Sequence, residues 1–268
     1  MTNNLLLPVV IIYQEDYHDS NIYKSLLCKY DNMHVVLYDN SPTPINEKYS
    51  SPYLHYFHNP ENGGVTAGYN KGADFGASRL NVRYVVLFDQ DTQFEGDYLE
   101  KLSTEIGRNP YDLYAPVIKT KEGGPCSPVR VTPLSIKGIH IQPSVVPPSK
   151  YKPINSGACI KLESFMNVGG YNEDIKLDFA DFDFFECLNK TVSTYMIVDS
   201  VAYQSFSNEE KDSLKLFNRF RQYILDASHF HGSHSIWFIV LRHTLALTLR
   251  TKELRFITYY ISKYILRR

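Results

Sequence analysis

The chain has 268 residues, 43% hydrophobic and 21% charged, which suits one large domain with a real core and excludes a disordered protein. A net charge of −1 argues against nucleic acid as the main partner. The four cysteines (Cys28, Cys126, Cys159, Cys187) lie far apart with no CxxC pair, which argues against a zinc site or disulfide framework and for reduced thiols in a cytosolic protein.

The apolar run Leu5 to Ile12 follows no basic region and is too short to span a bilayer, so it reads as a buried first strand, Val9 to Tyr13. Helical spacing follows over His18 to Tyr30 (Ile22, Leu26, Leu27, Tyr30). A second strand, His34 to Tyr38, stops at the turn signal Asp39-Asn40-Ser41-Pro42. Tyr53 to Phe57 reads as a third strand. Thr66 to Arg79 is helical, opened by Gly63-Gly64. Arg83 to Phe88 is a fourth strand ending at Asp89, and Gly96 to Arg108 is helical again. Apolar strands alternating with helices predict an α/β fold, a mostly parallel sheet covered on both faces. Residues 121–153, rich in Pro, Gly, Ser and Lys, read as a mobile functional loop. Beyond them, Asn155 to Ile160 enters a strand, Gly169-Gly170-Tyr171-Asn172 is a turn, Asp181 to Leu188 begins a helix, and Tyr195 to Val198 is a final short strand. From about residue 208 the pattern is helical, which divides the chain into a domain of residues 1–207 and a helical region of residues 208–268.

In an open parallel sheet, ligands bind beyond the carboxyl ends of the strands. Asp39-Asn40-Ser41, Asn62-Gly63-Gly64 and Asp89-Gln90-Asp91 all fall there. Asp89 and Asp91, two apart on an extended segment, point to one side and suit a hard divalent cation, Mg²⁺ or Mn²⁺, that offsets charge on a departing diphosphate. The same pair also fits a solvated cap on the following turn. Asp39 could accept from the N3–H of a uracil or thymine, or simply form its turn. The run Asn62 to Gly68 could admit a nucleotide, but is neither a dinucleotide fingerprint nor a P-loop. The acids Asp178, Asp181, Asp183 and Glu186 are interleaved with Phe179, Phe182, Phe184 and Phe185. Acids among aromatics suggest a partly dry cleft, where a raised pKa suits a general base, although an N-cap with solvated acids reads equally from the spacing.

These segments together resemble the inverting family 2 glycosyltransferases of the GT-A fold, within them the bacterial rhamnosyltransferase-like enzymes. The resemblance rests on Asp39-Asn40-Ser41-Pro42, the run Asn62 to Gly72, Leu87 to Thr92, Asn155-Ser156-Gly157-Ala158, and Gly169-Gly170-Tyr171-Asn172 followed by Asp181, in the family's order over roughly residues 8–205. It implies that Asp39 reads the base, that Tyr13, Asn62, Gly63, Asn70, Lys71 and Gln90 border the nucleotide, and that Asp89 and Asp91 are the metal-binding DxD element. It also implies that Asn155, Ser156, Gly157 and Asp178 lie on the acceptor side and that Asp181, with Asp183 as its rival, is the base. Two positions depart from the pattern. Gln204 stands where many relatives carry a metal-binding His, and Cys187 stands where an Arg is common.

The C-terminal stretch from Ile236 to Arg268 holds seven Lys or Arg against one acid, interleaved with apolar residues. It suits basic amphipathic helices on an anionic membrane surface, or else a helical cap or a homodimer contact, and the resemblance puts membrane docking somewhat ahead because the acceptors of such enzymes are commonly lipid-linked. The resemblance adds a lipid-linked glycan acceptor, a rhamnose donor (dTDP-rhamnose) or else UDP-galactofuranose or UDP-galactose, and a place in O-antigen or capsule synthesis on the inner face of the bacterial plasma membrane. Two other readings stand beside it: a metal-dependent nucleotidyltransferase, which usually places a Gly-rich basic loop where this chain has Tyr13-Gln14-Glu15-Asp16, and a non-enzymatic glycan-binding protein.

Overall fold

The computed structural model describes residues 5–132, 134–204, 212–230 and 236–266. Its centre is a mixed sheet in which β4 (Tyr84–Asp89), β1 (Leu6–Ile12), β2 (Val35–Asp39) and β3 (Leu54–His58) run parallel. β1, β2 and the body of β4 are buried along their length, as uninterrupted apolar strands must be when helices cover both faces. Beyond β4 the sheet continues through β11 (Cys159–Lys161), antiparallel to its neighbours, to β6 (Leu113–Thr120) and β12 (Tyr195–Gln204), which are parallel to each other. The sheet is therefore mixed beyond β4, because the three-residue β11 runs opposite to both β4 and β6.

Between the early strands lie α1 (Asn21–Ser25) and α2 (Gly64–Phe75), and after β4 come β5 (Gln93–Phe94) and α3 (Tyr98–Arg108). The stretch expected as one helix over His18 to Tyr30 is broken into short turns around α1, because the Ser20 side chain accepts from Tyr23 N–H and starts a new helix inside the run. Residues 121–153, expected as a loop, contain β7 (Pro125–Ser127), β8 (Val129–Thr132), β9 (Ser135–Gly138) and β10 (Ser144–Val146). β7 pairs with β6, β10 with β12, and β8 with β9 as a separate ribbon. After β11 come α4 (Leu162–Asn167) and α5 (Ala180–Leu188).

Two cores fill the two faces of the sheet. Leu7, Val9, Ile11, Val85 and Leu87 face α2, α4 and α5, while Val10, Ile12, Val86 and Phe88 face α1 and α3. α2 sits unusually close to β1: a Cβ at Gly68 would lie 2.4 Å from Ile11, and one at Gly72 would lie 2.5 Å from Val9. A third core joins α6 (Ser213–His229), α7 (Trp237–Thr251) and α8 (Arg255–Tyr260) through Phe220, Ile224, Val240 and Phe256, and it takes in Phe179 from the residue before α5. The expected division at residue 207 lies outside the described residues, as do Arg267 and Arg268.

Candidate active site

Strand register brings the polar strand ends together. Ile11 is level with Asp89 and Ile12 with Asp39, so the ends of β4 and β2 flank the end of β1. Gln204, last in β12, is level with Thr120 at the end of β6, on the same edge of the sheet. Gln90 ties two of these ends: its Oε1 accepts from Tyr13 N–H at 2.6 Å and its Nε2 donates to the Tyr13 carbonyl at 3.3 Å. Asn21 Nδ2 donates to the Asp91 carbonyl at 2.8 Å.

Asp89 points to the α2 side, where Tyr69 Oη donates to its Oδ1 at 2.7 Å, and its N–H donates to Ser156 Oγ at 3.2 Å. Burial, then the neighbouring Asp91, push the Asp89 carboxyl up to about 7 against the lowering effect of Tyr69. Burial also raises Asp91, opposed by hydrogen bonds from Gln204 and Thr92. Glu15 is raised by burial and then by Asp91, so a third acid faces this corner. Asp181, second residue of α5, is pushed up to about 7, first by burial and then by Asp89 and Asp178, while the Phe182 N–H that bonds its Oδ1 at 2.9 Å works the other way. The fold thus brings Asp181 within electrostatic reach of Asp89. Asp183, its rival, is buried farther round the helix and bears on Cys187.

The donor set Asp89, Asp91 and Gln204 offers hard oxygens of the kind Mg²⁺ and Mn²⁺ take. Gln204 Oε1 is buried without a hydrogen-bond partner beside Asp91, an unfilled acceptor such as a cation would use. These residues fit a divalent cation. Among the described residues there is no cluster of three or more His, Cys, Asp or Glu ligands.

Several expected residues sit differently. Asp39 is fully buried on the opposite face of the sheet from Asp89, and its oxygens accept from Ser41 N–H at 2.9 Å, Asn46 Nδ2 at 3.1 Å and Tyr56 Oη at 3.0 Å. Its first task is to hold the loop after β2, and at most one of about four lone-pair sites remains for a base. Asn155 and Ser156, expected on the acceptor side, are buried braces. Asn155 Oδ1 accepts from Tyr171 Oη at 2.7 Å, and Ser156 supports Asp89. Gly157 is likewise internal, donating to the Leu87 carbonyl at 2.6 Å. Asn70, expected beside the nucleotide, holds the 171–173 turn: its Nδ2 donates to the Tyr171 carbonyl and to Glu173, and its Oδ1 accepts from Tyr171 N–H. The Lys71 ammonium lies over the Phe57 ring, and with Gly63, Asn70, Tyr38 and Lys176 it lines a separate cavity of about 570 Å³ between α2 and β3. Asn62 shapes the entry to α2, where its Oδ1 accepts from Gly64 N–H. Asp178 is ion-paired to Arg219.

Sequence reasoning missed Tyr69 and Glu15. Tyr69 lay inside the quoted glycine run, and a Tyr one residue after Gly68 was the available signal for a hydroxyl pressed against the strand ends. Nothing in the local sequence separated Glu15 from a solvated loop acid.

A family model described as Glycosyl transferase family 2 matches residues 9–151. A dTDP-rhamnosyl transferase, RfbF of Shigella flexneri, is 23% identical over 203 residues, covering 74% of this chain and 68% of that protein. Among solved structures, GalNAc-T7 with UDP, GalNAc and Mn²⁺ superposes with a TM-score of 0.60 at 13% identity over 97% of this chain, which spans 54% of the GalNAc-T7 chain. Residues 1–349 of S. aureus TarS in complex with UDP superpose with a TM-score of 0.53 at 15% identity, over 96% of this chain and 72% of that one.

Proposed function

The chain belongs to glycosyl transferase family 2 and has the GT-A fold, and from that premise we propose that it is an inverting transferase moving a sugar from a nucleotide-diphosphate donor to a hydroxyl of a lipid-linked glycan. The observation that carries the reading is the link between α5 and the carboxyl edge of the sheet: Tyr69, bonded to Asp89, packs on Tyr171, which stacks on Phe184 of α5, and Asp181 lies within electrostatic reach of Asp89. Asp181 accepts the proton of the acceptor hydroxyl, and the freed oxygen attacks the anomeric carbon opposite the diphosphate, which leaves with the bonding electrons. A base near 7 is well matched to that task at neutral pH. Asp89, Asp91 and Gln204 would hold a Mg²⁺ or Mn²⁺ ion, which when bound would supply positive charge to the leaving diphosphate. Tyr69 fixes the rotamer of Asp89, Gln90 fixes the Tyr13 end of β1, and the loop braced by Asp39 bounds the nucleoside. Rhamnose from dTDP-rhamnose is the first choice of donor, supported by the Shigella relative, with UDP-galactofuranose and UDP-galactose as the other candidates.

Calorimetry with dTDP and UDP, with and without Mn²⁺ or Mg²⁺, tests the donor site. Binding that requires the cation is expected, and no binding of either nucleotide with either metal would overturn the reading. A donor screen with NMR of the product then names the sugar and the anomeric outcome.

The C-terminal helices support docking of this enzyme on the inner face of an anionic membrane. Among the described residues no helix is long and apolar enough to cross a bilayer. Trp237, Leu245, Leu249 and Leu254 are nevertheless exposed beside Arg242, Arg250 and Lys252. Leu249, at 78% exposure, and Leu254, at 72%, have no place in the third core. Apolar side chains set among cations suit a phospholipid surface. Deleting residues 236–268 would strip α6 of its core, so the cleaner test is Leu249→Asp with Leu254→Asp in the full chain. Co-sedimentation with phosphatidylglycerol vesicles should fall at least tenfold, with nucleotide binding intact. Unchanged sedimentation would favour a purely structural cap.

A further inference from the structure

Asp226 lies in the C-terminal helix α6, is 0% exposed, and still carries a carboxylate. Burying such a group is costly unless its oxygens are filled. Its Oδ1 accepts from the backbone N–H of Lys176 at 3.0 Å and from Gln222 Nε2 at 2.7 Å, and its Oδ2 accepts from the N–H groups of Leu177 at 3.1 Å and Asp178 at 2.8 Å. Three consecutive amides converging on one anion form a nest, and here the protein supplies the anion itself. Arg219, two turns earlier in α6, grips both oxygens of Asp178.

The other side of the same loop is fixed to α2. The Lys176 carbonyl accepts from Val65 N–H at 2.9 Å, and Lys176 Nζ donates to the Asn62 carbonyl at 3.1 Å. Gly64, at φ +82°, admits this approach, since a Cβ there would lie 2.2 Å from the Lys176 carbonyl oxygen. Phe179, the residue after Asp178, has φ of +66°, a left-handed conformation that costs a non-glycine residue about 1 kcal/mol or more. Its ring is buried in the third core against Tyr223 and Phe230, at centroid distances of 5.1 and 6.0 Å. α5 starts immediately afterwards, with Asp181 as its second residue.

We propose that Asp226 is a positioning residue for Asp181: its carboxylate pins residues 176–178 and so sets where α5 begins, and the C-terminal helices thereby complete the active site. The inference rests on the reading of Asp181 as the base.

The test is made in the full chain with Asp226→Asn, Asp226→Glu and Arg219→Gln. Asn keeps one acceptor oxygen and turns an NH₂ group toward the donors that the other oxygen served. Asp226→Asn should lower kcat about 10–100-fold, the scale of a small misplacement of a reacting group. Donor KM and cation-dependent nucleotide binding should stay within twofold, and the acid limb of the pH–rate profile should move. Asp226→Glu should recover part of the loss. Arg219→Gln leaves the nest in place and should give a smaller loss, again in kcat alone. Wild-type kcat and pH profile per folded molecule in Asp226→Asn would overturn the proposal. If that variant does not fold, the same result in Arg219→Gln would do so. An inactive Asp181→Asn beside a normal Asp226→Asn defeats only this inference, whereas an active Asp181→Asn defeats the base assignment beneath it.

Discussion

Asp181→Asn is expected to lower kcat about 10³-fold while leaving cation-dependent nucleotide binding within twofold of wild type, because it removes the proton acceptor and little else. Asp183→Asn should cost far less turnover, since that buried carboxylate bears on Cys187, whereas Asp181 is the one that feels Asp89. Wild-type activity should rise with pH through an acid limb centred near 7, because the base works only when deprotonated and burial holds its proton to about that pH. A bound cation beside Asp89 would pull this limb lower. Steady-state kinetics from pH 5.5 to 8.5 on both variants check the assignment. If Asp181→Asn turns over normally and Asp183→Asn does not, the roles are exchanged.

The second large effect concerns Asp89 and Asp91, and it has two opposite signs. Asp91→Asn should abolish transfer and cation-dependent nucleotide binding, which calorimetry reads directly. Asp89→Asn should do the same and yet stabilise the metal-free protein at pH 8. The Asp89 carboxyl is raised to about 7 in the folded chain from an ordinary 3.8, so the folded state holds this proton more tightly than the unfolded state. Its contribution to stability is therefore fully present below pH 4 and is lost as the pH rises through 7. Above that, the folded protein carries a buried, poorly solvated charge, a cost of about 2–4 kcal/mol that the amide avoids. Thermal unfolding in EDTA should show Asp89→Asn melting several degrees higher than wild type at pH 8, and the gap should close at pH 5. A lower melting temperature at pH 8 would mean that Asp89 is already well solvated or paired.

The strands at the centre of the fold were legible because burial on both faces leaves a continuous apolar run, as in β1, β2 and β4. β12 was read as far as Val198 and runs on to Gln204, since a register shift between Ile197 and Val201 places Asp199 and Ser200 inside the strand and breaks the pattern. The strands within 121–153 have three or four residues each, too short to set up a period, and β10 takes its partner from the distant β12. At the proposed site, Asp89, Asp91 and Asp181 could be singled out as candidates because acids at strand ends and among aromatics are unusual in themselves. The roles of Asn70, Asn155 and Ser156 could not, because a buried brace and a ligand-facing amide have the same sequence. Asp226 was invisible for another reason: the amides it gathers lie 48–50 residues away.

The close seating of α2 on β1 makes that helix a spacer of fixed thickness. With no side chain at Gly68 or Gly72 to act as a cushion, the gap between helix and strand cannot be compressed further and has nothing in it to rearrange. From this one rod, Tyr69 reaches the donor carboxylate Asp89, Asn70 reaches the turn at Tyr171, and Val65 reaches the loop that leads into Asp181. The distance between the Asp89 and Asp181 carboxylates is thus gauged by a backbone-to-strand contact. Any shift of α2 is felt by both half-sites at once.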